Sequence, residues 1–194
     1  MMKLYVSPGA CSMSCHIAFE EAALKFEAMI SKTEEVKNLN PMESVPVLAF
    51  EDGKVLTQNI AILTYAAQQP SGAHLLPKAG TFEYAKTYQW LSFVAADLHP
   101  AFSPLFNPAT PADQRANQVT YVKELLSLAD AELKKHKFIS GDTFTIADAY
   151  LFVVYGWADH MKIDTSSYTN LNQFKARIFE RPAVQAVMKR EGLL

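Results

Sequence analysis

Lys3-Leu4-Tyr5-Val6-Ser7-Pro8-Gly9-Ala10-Cys11-Ser12 sets an apolar run, a Pro-Gly break and a cysteine in immediate succession. Lys3 to Val6 reads as a short strand, and Pro8-Gly9 ends it. From Ser12 onward Met13, Ile17, Ala18 and Leu24 recur at helical spacing, with Glu20 and Glu21 on another face. Phe26 to Ile30 reads as a second strand. Two strands separated by a helix become parallel neighbours through a right-handed crossover.

Outward from that unit, residues 31–40 are polar and read as a loop with one helical turn. Val45-Pro46-Val47-Leu48-Ala49-Phe50 is a strand entered through a proline, and Asp52-Gly53 signals a hairpin into Val55-Leu56. A helix with Ile60, Ile62, Leu63 and Tyr65 as apolar positions follows Asn59. Residues 1–70 therefore form an α/β domain of order βαβ, loop, ββα. Gln69-Pro70-Ser71-Gly72 breaks the pattern, and 71–80 is the expected linker. Residues 81–194 carry no strong strand signal and read as an all-helical domain. Its helices are expected over 81–106, bent near Pro100 or Pro104, then 111–137, 146–159, 171–181 and 182–190.

The 194 residues are 49% hydrophobic and 20% charged, with a formal net charge of -2. That composition suits a globular protein and gives no electrostatic reason to expect nucleic acid or an anionic membrane as partner. No apolar run approaches the ~20 residues of a membrane span. The N-terminus reads directly into a strand rather than a signal peptide, so a cytoplasmic protein is expected. Cys11 and Cys15 lie four residues apart, where a disulfide across one helical turn would be strained. No further Cys or His pair completes a metal set with Cys11, Cys15 and His16, so no metal is expected. Cys15 reads as a small buried apolar residue.

Five places are candidates for chemistry. Cys11 and Ser12 stand where the first helix begins, among unpaired N–H groups and a partial positive charge that favour a thiolate. The plainer alternative is a capping Ser12 and a packed Cys11. Pro46, if cis, would leave the Val45 N–H and C=O free to pair with an extended ligand. Thr57-Gln58-Asn59 before a helix is either an anion site or an ordinary N-cap. Phe144 to Ala149 reads as a capping box built on Thr145 and Asp148, with no chemistry. His99 in Asp97-Leu98-His99-Pro100-Ala101-Phe102 is a lone helical histidine, either structural or catalytic.

Taken together, these segments resemble the bacterial beta-class glutathione transferases over nearly the whole chain. Lys3 to Ser12 looks like the family's opening strand and turn, and Asn40-Pro41 with Val45 to Leu48 like its proline-entered strand. Leu56 to Ile62 is similar to its segment before the third helix, and His99 to Phe106 to its histidine segment. Phe144 to Asp148 and Glu180 to Val184 are similar to its capping motif and final turn. The resemblance implies a thioredoxin-like first domain and an all-helical second, the glutathione-transferase fold. It implies glutathione as co-substrate, a detoxifying transfer to a small apolar electrophile, or disulfide exchange through the cysteine. It makes Cys11 and His99 the catalytic candidates. Ser12, Val45, a cis Pro46, Gln58, Asn59 and Asp97 become the glutathione-binding candidates, and Phe102, Phe106 and Trp157 the co-substrate pocket. It also implies a homodimer, with Asp97 reaching the partner's glutathione. Departures from the family pattern are Gln58 for its Glu, Ser92 for its Asn, Pro100 for its Lys and Val6 for its Tyr. Its lysine near the site matches Lys32 or Lys37. These departures favour weak glutathione binding, and they support the alternative of a binding or regulatory protein that kept the fold.

Overall fold

Leu4, Tyr5 and Val6 of β1 (Met2–Val6) are all buried, so both faces of this strand are covered. β1 pairs in parallel with β2 (Phe26–Ile30) and antiparallel with β3 (Val47–Ala49), with Leu4 opposite Ala28 and Leu48 respectively. β4 (Val55–Thr57) pairs antiparallel with β3, giving the order β2-β1-β3-β4. The parallel pair needs a crossover, which α1 (Ser12–Glu21) supplies. α1 packs on α3 (Asn59–Gln68). On the other face Tyr5 and Val47 cluster with Val36 of α2 (Thr33–Leu39). This computed structural model describes residues 1–30 and 33–194.

α2 replaces most of the loop expected over 31–40. Val36 and Leu39 give the segment an apolar edge against Tyr5 and Val47, and Glu34 and Glu35 suit the positive end of its dipole. The expected linker is also structured. Pro70–Leu75 is a 3₁₀ segment whose Gly72 is buried, and a Cβ there would lie 2.1 Å from the Ala66 carbonyl oxygen. This close approach keeps the segment on α3, and the first packed unit runs to Lys78.

That unit also takes in Phe179–Leu194, which the sequence placed with the helical half. α9 (Pro182–Arg190) packs along α1 with Val184 and Val187 fully buried. Charge pairs to α1 add to this: Arg181 holds Glu21 through two hydrogen bonds of 2.6 and 2.8 Å, and Arg190 pairs with Glu20.

The second unit, Ala79–Ile178, is helical. α4 (Phe82–Phe93), a π-helical segment (Val94–Leu98) and α5 (His99–Phe106) form one run. Pro100 offers no N–H to the carbonyl four residues back, and its ring crowds that group. The run widens just before it, with the His99 N–H bonding the Val94 carbonyl five residues back. α6 (Ala112–Leu133), α7 (Ile146–His160) and α8 (Thr169–Phe179) follow. α7 is buried over most of its length, as its apolar sequence predicts. Its start is held by the expected capping box. Asp148 accepts from the Thr145 N–H at 2.8 Å and from the Ile139 N–H at 2.7 Å. Burial raises the Asp148 carboxyl to about 6 against the opposing pull of these bonds. Among the described residues, no helix is long and apolar enough to cross a membrane.

Candidate functional site

Cys11 stands at the N-cap of α1, where the first N–H groups of the helix have no intrahelical acceptor. Gly9, at φ +68, lets the chain turn sharply from β1 into this position. The Cys11 thiol donates to the Val45 carbonyl at 3.7 Å. The Val45–Pro46 peptide bond is cis, and Pro46 is buried at the entry to β3. Cys11 and Val45 thus meet at one corner of the first unit.

Of the two readings of Cys11, a favoured thiolate and a packed thiol, burial supports the second. Burial pushes its thiol up to about 11, outweighing the backbone hydrogen bonds at the helix start that pull it down. The helix dipole is worth at most ~2 kcal/mol even in partly buried geometry. Near neutral pH, Cys11 is therefore a neutral S–H donor. Cys15 is fully buried, its thiol raised well above the ordinary range by burial and by the neighbouring Cys11.

Ser12 is at the right place, but its hydroxyl is occupied. It accepts from the Ser7 N–H at 3.0 Å, donates to the Ser7 carbonyl at 3.4 Å and is fully buried. It neither caps the helix nor presents its oxygen to a ligand. What it offers is its backbone N–H, as a first-turn residue of α1.

In the third segment neither Thr57 nor Asn59 is the N-cap. Gln58 is the N-cap of α3 and uses no side-chain bond to cap it. Its backbone sits at φ 74, ψ 126, a conformation that costs a non-glycine residue of order 1–3 kcal/mol. Its side chain is exposed. The side chain of Asn59 turns inward instead, donating to Ser14 Oγ at 2.8 Å and accepting from Cys15 Sγ at 3.2 Å. Asn59 therefore ties α3 to α1, and only its backbone N–H remains for an anion. These bonds place the start of α3 against the first turns of α1.

Tyr5 adjoins Val6, which stands where the family has its tyrosine, but its hydroxyl is engaged elsewhere. Its hydroxyl donates to Glu35 at 2.8 Å, and burial together with the nearby Glu35 and Glu27 raises it to about 12. Of the two lysines matched to the family's lysine, Lys37 is exposed and bonds Glu34 at 3.2 Å, whereas Lys32 lies outside the described residues.

In the second unit, His99 opens α5 beside an aromatic cluster. Its Nδ1 lies 2.7 Å from the Tyr150 hydroxyl, and burial lowers its pKa, so the ring is neutral near pH 7. Trp157 is the hub, with ring centroids 4.8 Å from His99, 5.7 Å from Phe102 and 5.3 Å from Phe106. Phe102 has no exposed surface and supports Trp157 from behind, whereas Phe106 is 46% exposed and can meet a ligand. Asp97, in the π-helical segment, lies instead on a groove with Trp90, Phe93 and Leu128, and its carboxylate is exposed.

Two features escaped the sequence reading. Glu191 is buried, accepting from the Gly9 N–H at 3.0 Å, with its other oxygen 2.9 Å from His16 Nδ1. Partners 175 positions apart leave no local pattern. Tyr150 was hidden among the apolar residues of α7. Its hydroxyl was the one available signal, since a buried phenol needs a partner.

The chain matches family models described as the glutathione S-transferase N-terminal domain over residues 9–69 and the glutathione S-transferase C-terminal domain over residues 93–182. It is 34% identical to glutathione S-transferase GstA of Escherichia coli O157:H7, covering 99% of this chain and 100% of that protein. Among solved structures, the bacterial beta-class glutathione S-transferase of Sphingomonas chungbukensis is 40% identical with a TM-score of 0.93, covering 99% of this chain and 100% of that one. A sphingomonad glutathione S-transferase complexed with glutathione is 38% identical with a TM-score of 0.93, again over 99% and 100%.

Proposed function

We propose, from the premise that this chain belongs to the glutathione S-transferase family, that it binds glutathione in its first unit and transfers the thiol to an apolar electrophile. One observation carries the assignment within this chain: the N-cap Cys11 thiol lies 3.7 Å from the Val45 carbonyl, at the corner where the helix dipole favours an anion. The bound thiol loses its proton to solvent water there, and the thiolate attacks the electrophilic carbon, forming the C–S bond as the leaving group departs with its electron pair. Because Cys11 is neutral, it does not compete as nucleophile, and on binding its S–H turns from the Val45 carbonyl to the glutathione thiolate. The raised Cys11 value also disfavours disulfide exchange through this thiol near neutral pH. The Val45 backbone pairs with the cysteinyl backbone of glutathione, and Gln58 and the Asn59 N–H meet its γ-glutamyl end. Phe106 and Trp157 supply apolar surface for the electrophile, and His99 acts as a polar group beside them.

The assay is conjugation of glutathione to an activated aryl halide. Saturable turnover in both substrates, reduced in Cys11→Ala and His99→Ala, supports the reading. Glutathione binding with no turnover on any aryl or alkyl electrophile would make this a binding protein instead.

The chain acts as a homodimer through the groove between α4 and α6. In support, Leu128 is 58% exposed there, on an apolar groove that Phe93 also lines. Asp97 on this groove then serves the partner's glutathione. Sedimentation gives one species of twice the chain mass, and Asp97→Ala weakens glutathione binding without dissociating it. A monomer, or unaltered binding in that variant, refutes the shared site.

A further inference from the structure

α7 presents Tyr150 and Trp157 seven residues apart, which is two helical turns and therefore one face. Both flank His99: the Tyr150 hydroxyl lies 2.7 Å from Nδ1, and the Trp157 ring packs edge-on at 4.8 Å. The Tyr150 and His99 rings are perpendicular, at 89°. Tyr150 is 2% exposed, so its hydroxyl is fixed in place.

We propose that Tyr150 is a positioning residue that holds His99 in the Nε2–H tautomer and so makes it a hydrogen-bond donor in the transfer reaction. The direction of the bond decides this. A phenol O–H is a stronger acid than a neutral imidazole N–H, and the imidazole lone pair is a better acceptor than a phenol oxygen. The favoured arrangement has the Tyr150 O–H donating to Nδ1, which leaves the proton on Nε2. Nε2 then carries the N–H of this half-buried ring and is its donor. A donor suits a reaction in which negative charge moves onto a leaving group. Trp157 fixes the ring plane, so the tautomer and the direction of the N–H are set together.

The proposal rests on the transferase reading for its catalytic consequence but not for its structural content, so two measurements separate them. In ¹⁵N-labelled protein near neutral pH, nitrogen–proton correlation spectra report which imidazole nitrogen carries the proton. His99 should show a protonated Nε2 and a bare Nδ1, and Tyr150→Phe should give mixed tautomers. In conjugation assays Tyr150→Phe should lower kcat about 10-fold with the glutathione KM within about twofold, less than the full contribution of a positioned proton donor. Adding it to His99→Ala should cause no further loss. A wild-type His99 protonated on Nδ1, or independent losses in the double variant, would overturn the proposal. The wild-type spectrum decides the tautomer even where Tyr150→Phe fails to fold. A protein that neither binds nor conjugates glutathione sinks the transferase reading while leaving that spectrum valid.

Discussion

Alkylation of Cys11 should accelerate tenfold with each pH unit from about 7 to about 9.5, with no plateau. The perturbation is pH alone, and the magnitude follows from burial. The thiol titrates at about 11, against 9.0 for an unperturbed cysteine. Its thiolate population at neutral pH is therefore lower by roughly 100-fold, and the initial labelling rate falls with it. Cys15 is fully buried and should react only when the first unit opens. Timed exposure to iodoacetamide, followed by peptide mass spectrometry, reads both sites in one experiment. The same shift has a stability consequence. Because the folded value is raised, Cys11 contributes its full stabilisation below the unfolded value of 9.0, and this is lost as pH rises toward about 11. A rate at pH 7 equal to that of free cysteine, a plateau below about pH 9, or Cys15 labelled first would refute the burial argument.

Three substitutions extend the account. Gln58→Glu supplies a carboxylate at an exposed N-cap and should tighten glutathione binding about 10-fold in calorimetric titration, since charge-assisted bonds are roughly twice as strong as neutral ones. Asp148→Ala strands the buried Ile139 and Thr145 N–H groups, costing about 2–4 kcal/mol and lowering Tm by about 5–15 °C in a thermal melt. Glu191→Ala removes the acceptor of the Gly9 N–H and the partner of His16, with a loss of similar size in denaturant titration.

Much of the first unit was legible because its signals are local. The Pro8-Gly9 break, the Asp52-Gly53 hairpin and the apolar strands each fix one connection, whereas the pairing of β3 with β1 rather than β2 emerges only in the folded sheet. The capping box at Thr145 and Asp148 was equally readable, its two residues lying within one turn. α2 was not, since a seven-residue helix with only Val36 buried has no periodicity to display. The position of residues 179–194 was not either, because it depends on contacts across the whole chain, of α9 with α1 and of Arg181 with Glu21. At the site, position was easier to read than ionisation. The sequence placed Cys11 at a helix start, but only packing reveals that desolvation outweighs the dipole there. Ser12 and Asn59 were likewise found by position, while their side-chain partners, Ser7, Ser14 and Cys15, emerge only from the folded geometry.

The central claim is that glutathione binds at the corner formed by Cys11, Val45 and the start of α3. Amide nitrogen–proton spectra recorded during a glutathione titration test it directly. Saturable shifts should concentrate at residues 11–14, 45 and 57–60, and Cys11→Ala should reduce the affinity without moving the affected set. Shifts centred elsewhere, or no saturable shift at millimolar glutathione, would contradict it.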